Sequence, residues 1–137
     1  MARILGLAVL LVGLLAVVSQ AALPRFDTTR VYTEASFAAA IKPYTDAIAR
    51  NANDAEGHYW LGVAYLHGAR LFHVGVAPFA VGFAPKAVAE LERAVELNST
   101  VAGLLALSEA YGMVGAIDKY NAIIDRLGAL VQPSPVK

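Results

Sequence analysis

The chain has 137 residues, 58% of them hydrophobic, with eleven basic residues balanced by eleven acidic ones and no cysteine. That length allows one small domain plus what its termini add, and a balanced charge without a basic run argues against a nucleic-acid partner, whose phosphates demand clustered basic residues. Disulfides, thiolate metal sites, covalent haem attachment and lipidated-cysteine anchors are excluded outright.

Residues 1–23 open the chain with Arg3 as a short basic region and an apolar run from Ile4 to Val18. This is the pattern of an export signal, with Ser19 and Ala21 as the small residues ahead of cleavage after Ala21, or after Ala22 as the neighbouring option. The alternative is a retained membrane anchor, because Ile4 to Leu23 is about as long as a bilayer-spanning helix. Arg25 and Arg30 follow the run while only Arg3 precedes it, which weakly disfavours an anchor with its N-terminus inside. A helix buried in the protein is a third reading. Both of the first two place the rest of the chain outside the cytoplasm, in the periplasm or on the extracytoplasmic face of a membrane.

Five helices follow, expected over 34–51, 55–68, 86–98, 101–114 and 118–131. Thr33, Asp54, Thr100 and Asp118 supply capping oxygens at their starts, and Gly68 and Gly115 mark stops. Pro43 removes a donor inside the first helix, so a kink or restart is expected there. The tail 132–137, "QPSPVK", reads as disordered.

Two kinds of helix alternate along this stretch. Ala40, Tyr44 and Ala47 are spaced as Ala87, Leu91 and Ala94 are, and Tyr120, Ile124 and Leu127 repeat the spacing again. Between them Leu61, Gly62 and Tyr65 match Leu107, Ser108 and Tyr111. The chain thereby resembles the tetratricopeptide repeat, a unit of about 34 residues reading W-x2-L-G-x2-Y, then A-x3-F, then P. His58, Leu61, Gly62 and Tyr65 stand at the first-helix motif, with His58 for the tryptophan. Ala87, Leu91 and Ala94 stand at the second, with Leu91 for the phenylalanine and Ser99 for the proline; Tyr120 departs at a position that favours a small residue. The resemblance implies an all-α array of antiparallel helical hairpins over 33–131, about two repeats plus a leading helix.

The first and second helical units are offset by 47 residues, so about thirteen extra residues lie within one repeat. They are "HVGVAPFAVGFAP", an apolar insertion at about 70–85 that carries no formal charge. Three readings stay open. Phe72, Val76, Phe79 and Phe83 recur at helical spacing and can fold back as core; the segment can be an exposed docking patch; or Phe79, Val81 and Phe83 can alternate as an extended strand. Glycines and prolines make it too short and broken to span a bilayer.

The resemblance implies a partner groove along the first helix of each repeat: Glu56, Tyr59, Val63, Leu66 and His67, then Ala102, Leu105, Glu109, Gly112 and Met113. These positions hold two carboxylates but no lysine or arginine to clamp a peptide's terminal carboxylate, so an apolar helix or peptide is the expected ligand. Partner contacts are therefore expected at Tyr59, Val63, Leu66, His67, Leu105, Glu109 and Met113, and at Phe72, Val76, Phe79 and Phe83 of the insertion. So short an array leaves apolar ends, from which a homo-oligomer or larger complex is expected unless the insertion caps it.

No HExxH pair, phosphate-binding glycine loop or GxSxG elbow is present, and His58, His67 and His73 do not share a helix face. No enzyme activity, metal or cofactor is expected. The sequence thus reads as an exported protein-interaction scaffold. Its alternatives are a small membrane-attached subunit docking the insertion on an integral membrane complex, and a carrier of a small apolar ligand.

Overall fold

The computed structural model describes residues 22–132, so the cleavage-or-anchor reading of the leader and nearly all of the tail lie outside the described residues. Five α-helices and a 3-10 turn follow one another: α1 Glu34–Arg50, α2 Ala55–His73, the turn Pro78–Ala80, α3 Phe83–Leu97, α4 Val101–Met113 and α5 Ile117–Val131. They pack as sequential antiparallel pairs, with α2 also touching α4. Among the described residues no helix is long and apolar enough to cross a membrane.

Local chemistry sets most of the helix starts. Thr33 Oγ1 accepts from Ser36 N at 3.1 Å while Ser36 Oγ accepts from Thr33 N at 2.9 Å, a reciprocal cap on α1. Asp54 and Thr100 cap α2 and α4, accepting from Gly57 N at 2.8 Å and Gly103 N at 3.0 Å. Asp118 does not cap α5, which begins one residue before it behind Ala116 without a side-chain cap. Pro43 does not end α1 either. The Ala39 carbonyl, deprived of its amide partner, belongs to an exposed residue, where water can satisfy it.

Gly68 is not a stop. A Cβ there would lie 2.6 Å from Phe83 Cδ2, so its role is to let the start of α3 close on α2, and α2 runs on to His73. Gly62 works the same way against Leu91, whose Cγ lies 2.6 Å from where a Cβ would stand. These two close approaches make α2 and α3 the most intimately packed pair.

The insertion shrinks accordingly. Phe72 and His73 belong to α2, and Phe83 to Pro85 form the first turn of α3, where a proline removes no intrahelical bond. Only residues 74–82 lie outside the two α-helices, bracketed by Gly75 at φ +76° and Gly82 at φ +78°. The strand reading of Phe79, Val81 and Phe83 fails, because Phe79 sits in the 3-10 turn and Phe83 in a helix. Two apolar clusters result: one of Leu66, Ala87, Leu91, Leu104, Leu107, Tyr111 and Ile123, and one of Phe26, Tyr32, Phe37, Tyr44, Leu61 and Ala64.

Candidate partner-binding surfaces

The second cluster contains residues from a segment that carries no helical pattern. Residues 22–33 run along α1 and α2, burying Phe26 and Tyr32 against Phe37 and His67. Polar contacts tie the segment at both ends. Tyr44 Oη donates to the Pro24 carbonyl at 2.8 Å, Tyr32 Oη donates to the Asp27 carbonyl at 2.7 Å, and His67 Nε2 lies 2.7 Å from the Arg30 carbonyl. Arg25 stacks over Trp60. Burial and the neighbouring Asp27 push the Tyr32 hydroxyl above its ordinary value, and burial does the same to Tyr44, so both stay protonated donors.

This strap changes the groove. His67 is only 6% exposed because the chain's own residues cover it, and Leu66, at 1%, points into the first cluster. Neither is available to a partner while the fold is closed. Tyr59, Val63 and Met113 are half-buried, and Leu105 is exposed at the surface of α4. Tyr59 forms one wall of a cleft of about 280 Å³ between α2, α3 and α4, lined also by Ala55, Glu56, Ala94, Ala102 and Gly103. Its edge contacts Trp60 at 4.8 Å between ring centroids, which links the cleft to the strap.

An arginine does reach this face, contrary to the sequence expectation. Because α2 continues past Gly68, Arg70 stands opposite Glu109 of α4, and its guanidinium donates through Nε and Nη2 to the two carboxylate oxygens, each at 2.5 Å. The Glu109 hydrogen bonds hold the Arg70 guanidinium above even its ordinary value. The pair is half-exposed and bidentate, so it fixes the distance between the two helices and cancels one of the two carboxylates the sequence placed in the groove. Glu56, at the other end, remains exposed.

The insertion divides in two. Phe83 packs on Phe37 and Tyr65 at 5.1 Å and 5.0 Å between ring centroids, and Phe79 joins them at 5.9 Å from Phe37. Ala77 and Ala80 are buried beneath. Phe72 and Val76 are exposed instead, and Val74 and Val81 project at 70% and 66% exposure. The stripe at helical spacing is thus half core and half surface. A shallow cleft of about 180 Å³ between Phe72, His73, Ala80, Phe83, Pro85 and Met113 joins the insertion to the end of α4.

His58 and His67 serve packing. His58 Nδ1 stands 2.6 Å from Glu90 Oε2 and its Nε2 lies 2.9 Å from the Ala52 carbonyl, so the ring bridges α2, α3 and the loop before α2. His73 is exposed at the end of α2. Ser108 Oγ donates to the Leu105 carbonyl at 2.7 Å, within its own helix. Comparison of the chain with family models, with curated proteins and with solved structures finds no match.

Proposed function

We propose that this chain is an exported, tetratricopeptide-like interaction module that binds an apolar helix of a partner protein along the face shared by α2 and α4. The observation that carries the reading is the α2–α4 cleft, where the Tyr59 ring, Ala55, Ala94, Ala102 and Gly103 give a mostly apolar lining beside Glu56, Asn98 and Thr100. The exposed Leu105 of α4 adds to that apolar surface, and an apolar helix buries its stripe against Tyr59 and Leu105. Equivalent seam residues at Leu61 and Leu107, and Gly62 at a close helix approach, support the repeat reading. The export reading rests on the leader's composition.

The test is site-specific photo-crosslinking in the cell envelope. A crosslinker at Leu105 should give one discrete protein adduct that is absent with the crosslinker at Ala89, exposed on α3. Adding Ala102→Asp, at an exposed position of the cleft wall, should abolish the adduct without shifting the melting temperature by more than a few degrees. Equal labelling from both positions defeats the reading.

The membrane-attached alternative has its own support in Val74 and Val81, which project from the insertion. In that case crosslinks should concentrate at Val81 and reach an integral membrane protein. The carrier reading has less, since a cleft of about 280 Å³ lies at the small end of ligand-binding cavities.

A further inference from the structure

Among the described residues, helix α5 carries a second apolar stripe that the other helices leave largely uncovered. Ile117, Tyr120, Ile124, Leu127 and Val131 follow one another at intervals of three, four, three and four, the seam spacing of two helices packed along their length. Only Leu127 is partly covered; Ile117, Tyr120, Ile124 and Val131 are exposed, and the helix is held to α4 by the neighbouring edge through Ile123. Charge is kept off the stripe. Lys119 is drawn toward Glu92 of α3 and Arg126 toward Ser99, while Asp118 and Asp125 fall more than a quarter-turn from its centre line.

We propose that this stripe is the seam of a two-fold dimer, α5 of one copy lying antiparallel against α5 of a second. The pairing that follows from placing Ile124 on the axis is self-complementary. Ile117 meets Val131 of the other copy, and Tyr120 meets Gly128. Gly128 is otherwise unaccounted for: a Cβ there would meet nothing within 4 Å, yet an exposed glycine inside a helix is about 1 kcal/mol less favourable than alanine. Opposite a tyrosine, its missing side chain is the hole that receives the ring. The edge of the stripe away from α4 carries Asn121 and Gly128, uncharged and short, so the second helix approaches without meeting a like charge. This surface is separate from the α2–α4 cleft, and its occupancy leaves that cleft open.

The chain has no cysteine, so single substitutions report the geometry directly. In the full-length protein under mild oxidation, Ile124→Cys places two thiols at the axis and should give disulfide-linked dimer. Ile117→Cys places them about 20 Å apart along the helices, beyond the roughly 7 Å a disulfide tolerates between Cα atoms, and should give roughly tenfold less. The double variant Tyr120→Cys with Gly128→Cys should also link, because the same residues within one helix are about 12 Å apart. Adding Ile124→Asp to that double variant should remove the link while the melting curve of the diluted protein is kept, since Ile124 is exposed in the single copy. Association through the leader would not distinguish positions 117 and 124. Equal linkage at both, no linkage at any, or a link from Ile124→Cys to a different protein each overturns the proposal.

Discussion

Helices α3 and α5 are written with the same spacing and live in different surroundings. Ala87, Leu91 and Ala94 on α3 are sealed between α2 and α4, the first two at 0% exposure. The equivalent Tyr120 and Ile124 on α5 stand 36% and 41% exposed, with Leu127 half-covered. A seam pattern records that a helix expects neighbours on two sides; it does not record whether both are present. In α3 both neighbours come from this chain. In α5, among the described residues, one does.

The comparison breaks first at Leu91. Leu91→Ala should destabilise the fold by about 2–5 kcal/mol, because Leu91 is fully buried and packs under Gly62 with no room to relax. Ile124→Ala in dilute protein should cost under about 1 kcal/mol, since much of that side chain already meets water. Urea melts of the two variants measure the difference. Equal losses would mean that α5 has a covered second face even in the single copy.

A similar contrast holds inside the insertion, and the expected effect is somewhat smaller. Phe83→Ser removes a ring that touches Phe37, Tyr65 and Phe79, and should cost about 3 kcal/mol. Val81→Ser, a few ångströms of chain away on the exposed side, should stay within about 0.5 kcal/mol. Thermal melts that fall equally would show Val81 to be as well covered as Phe83.

How much of this was legible in the sequence follows from the same contrast. Helix periodicity and the oxygens of Thr33, Asp54 and Thr100 place the helices within a few residues, because both act over a single turn. The two ends of the insertion were not legible. Gly68 has the composition of a stop, but it is a contact point for Phe83, and only the distant ring tells the two roles apart. That misreading also hid Arg70, since a helix ending at residue 68 leaves no platform to carry it to Glu109. The strap 22–33 gave still less signal. Its only local sign is Asp27, whose carboxylate accepts from Thr29 N and Oγ1 and is thereby held below its ordinary value; the burial of Phe26 and Tyr32 depends on Phe37 of α1 and His67 of α2, the latter 41 and 35 residues away in the chain. Of the expected partner residues, Leu66 and His67 are 1% and 6% exposed, Leu66 among side chains of α3 and α4 and His67 beneath the strap, contacts that no local pattern records.

Two glycines sharpen the comparison further. Gly62→Ala sets a methyl carbon 2.6 Å from Leu91 Cγ and should cost about 1–3 kcal/mol by overpacking the α2–α3 seam. Gly112→Ala on α4 meets nothing within 4 Å, so the gain in helix propensity should stabilise by up to about 1 kcal/mol. Opposite signs from one chemical change separate a contact glycine from an open one, and a loss at Gly112 would reveal a neighbour that covers α4.

The smallest expected effect lies at the junction of the two helices compared. Glu92 of α3 accepts through Oε1 from Tyr111 Oη of α4 at 2.6 Å and from Lys119 Nζ of α5 at 3.2 Å, so one carboxylate ties the open helix to the closed one. The Tyr111 hydrogen bond, followed by Lys119, holds Glu92 below its ordinary value of 4.5, while burial and then Glu92 itself push the Tyr111 hydroxyl upward. A group depressed in the folded state adds stability that is complete above its unfolded value and disappears as pH falls through the folded one. The tie is therefore intact at neutral pH and weakens below about pH 4.5. With 41% of the Glu92 side chain exposed, solvent screening keeps the effect under about 1 kcal/mol. Glu92→Gln should lower stability slightly at pH 7 and leave it unchanged relative to the parent at pH 3, with hydrogen exchange in α5 responding before exchange in α3. If the variant and parent instead diverge more at pH 3 than at pH 7, the carboxylate is not what holds α5 in place.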